Sequence, residues 1–454
     1  MPDVCDVCDV LGARRGYIVA AAGCGKTELI ADAVAFSEGR SLILTHTHAG
    51  VGALRGRLQA KGVAPKQYRV ETITGFALRF AASYPASSGW STDKPSGAQW
   101  NDVQAATMRL ISTTNIARVL RASFDRVLVD EYQDCTAVQH HLTVAIADVL
   151  PTVVLGDPLQ GIFGFAGPPV DWDDLGNRFE KLGELQTPYR WHNTNPELGE
   201  WLLDARRRLL ARSEPDWASG VIASGESTSA TQVMTCNRFR DVDSVVAIRK
   251  WQRDEQDVAS CLGGSFSSME TIEAKDLFRA ADAFDSSTGA ELALVVIGFA
   301  ALCMTGVRSH LRAAEERLTN GFIPAPRAGA ATEVAISALV QVADHGLEAV
   351  PSALRAIASL SNVRTYRHEL LEETVRAIRL RRPGSERSLS DLAWDLREDA
   401  RRRGRAVPSR VVSRTLLVKG LEFDHAIVLA RNELSREELY VAITRPRRSL
   451  TVLL

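Results

Sequence analysis

The chain has 454 residues, 45% of them hydrophobic and 24% charged, with a formal net charge of −1. These values exclude a disordered, fibrous or disulfide-scaffold polypeptide and leave length for about three domains with buried cores. A net charge this close to zero also means that a polyanionic partner must be held by a local basic groove, not by the field of the whole molecule.

In chain order, Tyr17–Ala21 reads as a strand, followed by a glycine turn and a helix from about Lys26 to Phe36. Ser41–Thr45, Val127–Asp130 and Thr152–Leu155 are further short apolar runs that end in polar residues. This alternation predicts a parallel sheet with helices on both faces, whose ligands bind at the carboxyl ends of the strands. From about Trp191 to Arg410 the pattern is mainly helical. Strand signals return at Arg414–Leu416, Ala426–Leu429 and Leu450–Leu454, which implies a second lobe interrupted by a helical insertion. The longest apolar run, Leu292–Met304, is 13 residues long. That is too short to cross a bilayer and fits a buried core helix. The first residues lack a basic start and a hydrophobic signal core, so a cytoplasmic location with no membrane partner is expected. Seven dispersed cysteines suggest reduced thiols, and Cys5-x-x-Cys8 has no second ligand pair to complete a zinc ribbon.

The chemistry begins at Ala20-Ala21-Ala22-Gly23-Cys24-Gly25-Lys26-Thr27, placed between a strand and a helix. In that context the run reads as a phosphate-binding loop. Gly23 and Gly25 let the backbone of residues 22–27 approach phosphate oxygens, and the helix N-terminus adds free N–H groups. Lys26 is expected to reach the β- and γ-phosphates, and the Thr27 hydroxyl to sit on Mg²⁺. Val127-Leu128-Val129-Asp130-Glu131 then puts two carboxylates at the end of an apolar strand. Asp130 suits the Mg²⁺ shell, and Glu131 suits orienting or deprotonating the attacking water. ATP with Mg²⁺ is the expected cofactor pair.

Asp130-Glu131-Tyr132-Gln133-Asp134 resembles the DExQD box of superfamily 1 helicases of the UvrD/Rep type. Leu44-Thr45-His46-Thr47-His48-Ala49 and Thr72-Ile73-Thr74-Gly75-Phe76-Ala77 resemble two motifs that line the DNA path in that family. Gly156-Asp157-Pro158-Leu159-Gln160, continuing through Phe163 and Phe165 to Gly167, is similar to its GDxxQxIYxFxG stretch, and Pro188-Tyr189-Arg190 to its NYR motif. Lys419-Gly420-Leu421-Glu422-Phe423 and Leu439-Tyr440-Val441-Ala442-Ile443-Thr444-Arg445 match the last two motifs. The resemblance spans residues 19 to 445.

It implies two RecA-like α/β lobes with a small helical insertion in the first and a larger one in the second. The expected boundaries are 1–78 with 123–190 for the first lobe and 79–122 for its insertion. The second lobe is expected at 191–250 with 405–454, and its insertion at 251–404. The resemblance further implies that Gln160 senses the γ-phosphate, Tyr189 stacks on adenine and Glu422 meets the ribose. Arg190 and Arg445 would act as arginine fingers. Thr45, His46, Thr74, Phe163 and Phe165 would contact DNA, the aromatic rings by stacking, which is independent of base sequence.

The chain departs from the family pattern in several ways. No adenine-reading glutamine motif is recognisable before Gly16, His46 replaces an aromatic residue, and Leu416 stands where a histidine is usual. Only 53 residues separate Phe76 from Asp130, too few for a large insertion in the first lobe. Residues 376–414 hold twelve Arg and no Lys against five acids, which reads equally as phosphate contacts or as an ion-paired helix face.

The resulting expectation is an ATP-dependent translocase or helicase on single-stranded or forked DNA, moving 3′→5′. The compact form also resembles the helicase-like component of Gabija-type antiphage systems, which implies an OLD/Toprim-type nuclease partner. The alternative is a DNA-sensing regulatory ATPase subunit with little unwinding of its own that controls a partner effector, commonly a nuclease. No acid-acid-lysine cluster outside the ATP motifs supports nuclease chemistry within the chain.

Overall fold

A computed structural model describes residues 6–454 apart from 93–94, 96, 165–166, 272–273, 383–385 and 404–406, and apart from the side chains of 400–403. The chain forms two compact units. One contains Met1–Ala223, Lys419–Glu422 and Leu434–Leu450, and the other Ser224–Val418, Phe423–Glu433 and Thr451–Leu454.

The first unit is built on a sheet of β1 (Arg15–Ala20), β2 (Ser41–Thr45), β3 (Tyr68–Thr72), β4 (Arg126–Val129), β5 (Thr152–Gly156) and β6 (Glu180–Leu185). Its order is β3-β2-β4-β5-β1-β6, and every neighbouring pair is parallel. Strands β2 and β5 are buried along their whole length, as expected for interior strands covered on both faces. One face packs Ile18, Ile30, Val34 and Ile43 together, and the other Leu42, Phe76, Val127 and Val129. Helices Gln99–Ile111 and Thr114–Ser123 form the small insertion and contribute Val103, Leu110 and Leu120 to the second of these cores.

The remaining strands are β7 (Ala223–Gly225), β8 (Val245–Arg249), β9 (Ser267–Ser268), a short pair β10 (Met304–Thr305) and β11 (Arg364–Thr365), then β12 (Arg410–Arg414), β13 (Phe423–Val428) and β14 (Pro446–Leu453), all in the second unit except Ala223 and residues 446–450. The larger sheet runs β7-β14-β13-β8-β12-β9, with β13, β8, β12 and β9 mutually parallel. The insertion is a helical layer from Lys275–Ser286 to Leu389–Arg403 with its own apolar core. The run predicted as a core helix is helix Gly289–Cys303, which buries Leu292, Ala293, Val296, Ile297, Phe299, Ala300 and Cys303. The predicted α/β class, with two RecA-like sheets and a small and a large helical insertion, is what the chain adopts. No helix among the described residues is long and apolar enough to cross a membrane.

Two sequence expectations need correction. The strand predicted at Arg414–Leu416 lies earlier, at Arg410–Arg414, and Thr415–Val418 is a helical turn. Val411 and Val412 are fully buried between β8 and β9, whereas a short apolar run alone does not reveal its period. The stretch read as mainly helical from Trp191 also contains β8, an interior strand with four buried residues. Of the arginine-rich stretch, Arg397 is paired with Glu369 and Glu373, Arg387 with Asp395, and Arg410 with Asp243. Residue Arg405 and the side chains of Arg401, Arg402 and Arg403 lie outside the described residues, as does Cys5. The described cysteines are free thiols.

Candidate active site

Six parallel strands of the first unit deliver polar residues to one edge of the sheet. The carboxyl end of β1 leads into the glycine loop, and that of β2 includes Thr45 and leads to His46. The end of β3 leads to Thr74, β4 to Asp130 and Glu131, β5 to Asp157 and Gln160, and β6 to Tyr189 and Arg190. A parallel α/β sheet binds its ligands at this edge.

The glycine loop needs its glycines for two reasons. Gly23 and Gly25 have φ of +72° and +86°, a region that other L-residues adopt only with strain. A Cβ on Gly23 would also stand 2.5 Å from the ring of buried Trp191, and one on Gly25 would stand 3.2 Å from the Tyr189 ring. Gly25 caps the helix Lys26–Phe36, so the N–H groups of its first turn open toward the loop. The Arg190 N–H donates to the Gly23 carbonyl (3.1 Å), and the Ala22 N–H donates to the Tyr440 hydroxyl (3.1 Å). Cys24 is buried, and burial pushes its thiol up to about 12, so it is inert.

Lys26 lies 2.7 Å from Glu131 and 3.3 Å from Asp130, while Thr27 is half-buried beside it. Burial works against the Lys26 charge, but the two carboxylates outweigh it and hold the ammonium above its ordinary range. Burial pushes Asp130 up. For Glu131 burial acts in the same direction, yet Lys26 and then Lys419 overcome it and hold the carboxyl at about 2. Glu131 is therefore anionic, and it occupies a left-handed backbone conformation, φ +54° and ψ +43°. Such strain in a non-glycine residue persists only where the surroundings impose it. Here Tyr132 is fully buried next to it, sharing a 2.8 Å hydrogen bond with His140, which in turn lies 2.9 Å from Asp174.

Behind the acids runs a buried amide chain. Gln133 Nε2 donates to Glu131, and its Oε1 accepts from the Asp157 backbone N–H at 2.9 Å. Gln160 Nε2 donates to Asp157 Oδ2 at 3.1 Å. Lys419 donates to Asp134 and to the Gln160 carbonyl, and its ammonium lies 4.9 Å from the centre of the Phe163 ring. Phe163 also packs against His46, with ring centroids 5.3 Å apart. Burial keeps His46 neutral by lowering its pKa. Thr74 sits near Thr72, whose hydroxyl caps the helix Ile73–Ser83. Phe165 lies outside the described residues.

The two arginines lie in the same compact unit as the glycine loop, although the expected boundaries put Arg445 in the second lobe. Segment 434–450 packs there through Tyr440 on Ala22 and through Trp191 Nε1, which donates to the Pro446 carbonyl at 2.6 Å. Arg190 donates to the Thr444 carbonyl (2.8 Å) and pairs with Glu422 (2.9 Å). Arg445 is buried, donating to the carbonyls of Val441 and Leu421, and burial followed by Arg190 lowers its pKa to about 9. Tyr189 is 64% exposed beside Gly25, an open aromatic face at the mouth of the loop. Sequence reasoning gave no role to Gln133, Lys419 or Tyr440, although each stands inside a quoted motif. It gave no signal at all for Arg206, described below.

Among the described residues no cluster of three or more His, Cys, Asp or Glu could hold a metal alone. Mg²⁺ does not need one. It binds through one or two carboxylates together with phosphate oxygens, and Asp130 and Thr27 at the loop fit that mode.

Comparison with known proteins agrees with this site over part of the chain. Residues 92–171 match the UvrD/REP helicase N-terminal domain. That stretch contains the small insertion, the acids and Gln160. An ATP-dependent helicase/nuclease protein of Lacticaseibacillus casei (strain BL23) is 31% identical over 104 residues, covering 21% of this chain and 8% of that protein. Its counterpart from Lacticaseibacillus paracasei shows the same identity and coverage, so the matched stretch is a small fraction of either relative. Among solved structures, the arterivirus nonstructural protein 10 helicase in complex with DNA aligns with 99% of this chain and 62% of its own, at 10% identity and a TM-score of 0.37. The Bacteroides Pif1 helicase in complex with ADP-AlF3 and ssDNA aligns over 56% of this chain and 55% of its own, at 11% identity and a TM-score of 0.29.

Proposed function

We propose that the protein is an ATP-dependent motor on single-stranded DNA, a helicase of the UvrD/Rep type. The observation that carries the proposal is the convergence of Lys26, Asp130, Glu131 and Gln160 at one sheet edge, on a glycine loop flanked by Tyr189 and Arg190.

Bound nucleotide with Mg²⁺ supplies a phosphoryl group whose transfer depends on positioning and charge stabilisation. In that reaction the loop N–H groups and Lys26 would grip phosphate oxygens, while Thr27 and Asp130 would hold the cation. Lys26 turned toward phosphate no longer holds down the Glu131 carboxyl, which raises its basicity toward the attacking water. Gln160 reports the γ-phosphate position, and Arg190 with Arg445 brings the positive charge that the transition state requires. Tyr189 supplies the adenine stack and Glu422 the ribose contact. Thr45, His46, Thr74 and Phe163 form the DNA track, and the motif resemblance adds Phe165 to it. The Lys419 contact with the Gln160 carbonyl and the Phe163 face ties that track to the nucleotide side.

Movement 3′→5′ is supported by the order and wording of the UvrD/Rep-like motifs. The short spacing between Phe76 and Asp130 supports a reduced motor working with a partner, and resemblance to Gabija-type systems makes an OLD/Toprim-type nuclease in cytoplasmic antiphage defence the partner class we propose.

The test is steady-state ATP hydrolysis with and without single-stranded DNA. Lys26→Ala and Glu131→Gln should each lower the stimulated rate by roughly 10²–10⁴-fold. Hydrolysis that persists in both variants, or that ignores DNA, would sink the proposal.

A further inference from the structure

Helix Pro196–Leu210 carries three consecutive arginines, and the structure treats them differently. Arg207 and Arg208 have side chains 73% and 45% exposed and pair with Asp204 on their own helix. The Arg206 side chain is 7% exposed and points inward, donating from Nη2 to Oδ1 of Asp157 at 3.0 Å. Asp157 is fully buried, and its other oxygen, Oδ2, accepts from the Gln160 side chain. Its backbone N–H donates to Gln133, which donates to Glu131. Asp157 thus joins the γ-phosphate residue through its carboxylate and the water-activating residue through its backbone N–H, and Arg206 holds that carboxylate in place. The Tyr440 hydroxyl accepts from the loop amide of Ala22, and burial pushes its pKa up.

A buried Arg–Asp pair is weak evidence for stability, because well-packed apolar residues often serve as well. Its geometric consequence is specific. Without Arg206 the Asp157 carboxylate loses the donor that fixes Oδ1 and is free to turn, and the acceptor that Gln160 Nε2 now finds on Oδ2 turns with it.

We infer that Arg206 is a positioning residue for phosphoryl transfer, acting through Asp157 on Gln160 and through Gln133 on Glu131. The inference rests on the ATP-hydrolysis reading above. It predicts a defect in the chemical step with nucleotide binding intact, since the partner of Arg206 is Asp157.

The experiment compares full-length wild type, Arg206→Met and Arg206→Lys, with Lys26→Ala as the inactive reference. ATP hydrolysis is measured at saturating single-stranded DNA over a range of ATP, and a fluorescent ATP analogue reports binding separately. Arg206→Met should lower kcat by roughly 10- to 100-fold, the scale of a small misplacement of reacting groups. Its KM and analogue affinity should stay within about threefold, the pattern of an interaction made only in the transition state. Arg206→Lys, which keeps the charge but loses the planar fork, should fall between. Adding Asp157→Asn to Arg206→Met should cost little more, because both act through one carboxylate. If Arg206→Met fails to fold, Arg206→Lys decides. A kcat within about twofold of wild type in a folded variant, or losses in affinity and melting temperature that track the loss in kcat, would overturn the inference. Wild type no faster than Lys26→Ala would instead remove the ATPase reading and the inference with it.

Discussion

Lys419→Met offers the sharpest test of how the site is held together. The Lys419 ammonium donates to Asp134, the last acid of the Asp130–Asp134 turn, and both side chains are almost fully buried. Burial pushes the Asp134 carboxyl up to about 6, with Lys419 the largest influence opposing the rise. A folded-state value above the ordinary 3.8 means that the charged carboxylate costs stability above pH 6. That cost is relieved as pH falls through 6 toward 4. Removing Lys419 raises the folded value further, and each additional unit costs about 1.4 kcal/mol at pH above it. Loss of one partner from a buried pair commonly costs about 3–5 kcal/mol, and protonation of Asp134 caps the cost here. Lys419→Met should therefore lose about 2–4 kcal/mol at pH 8 and clearly less at pH 5.5. Adding Asp134→Asn should recover part of the loss at pH 8, because the uncompensated charge disappears. Urea denaturation followed by tryptophan fluorescence at both pH values reads each quantity. A loss independent of pH, or an Asp134→Asn cost that simply adds to that of Lys419→Met, would refute the account.

Gly23→Ala should destabilise by about 1 kcal/mol for its left-handed φ and by a further 1–3 kcal/mol for overpacking against Trp191. Gly62→Ala has the same φ of +72° with nothing within 4 Å, so it should lose only the first part, and equal shifts in denaturation midpoint would contradict this. Tyr189→Ala should raise the KM for ATP by about tenfold, the value of one aromatic–base stack, with little change in kcat or melting temperature. Phe163→Ala should weaken single-stranded DNA binding by roughly 5- to 100-fold in fluorescence anisotropy while leaving DNA-independent hydrolysis in place.

The parts of the fold that were legible in the sequence are those where burial imposes a simple pattern. Ser41–Thr45 and Thr152–Leu155 are apolar because both faces of an interior parallel strand are covered, and the structure has strands there within one residue. Helix Lys26–Phe36 was readable from end to end because the glycine loop fixes its start. Edge strands left weaker marks. Strand β6, Glu-Lys-Leu-Gly-Glu-Leu, is half-exposed, and its pairing with β1 shifts register between Tyr17 and Ile18. Its sequence carries more charge than pattern. Strand β8 was missed for another reason: its five residues lie between helical stretches, and periodicity over so few positions does not separate a buried strand from a helix turn.

The candidate site divides along the same line. Lys26, Asp130, Glu131 and Gln160 are readable because their chemistry demands fixed residue types at fixed distances from strand ends. Arg206 is not, since Arg206-Arg207-Arg208 looks like any solvated helix face until the helix is laid against β5 and one of the three turns inward to Asp157. Gln133 and Lys419 lie between these cases, sitting within motif matches while their roles come from contacts with residues more than twenty positions away. The reacting groups are thus written locally, and the groups that aim them are written in the tertiary packing. An unaimed Gln160 would still bind nucleotide but would transfer phosphate slowly. The charges with no local motif, Arg206 foremost, are accordingly where the rate of the proposed motor should prove most sensitive to substitutions that leave nucleotide binding intact.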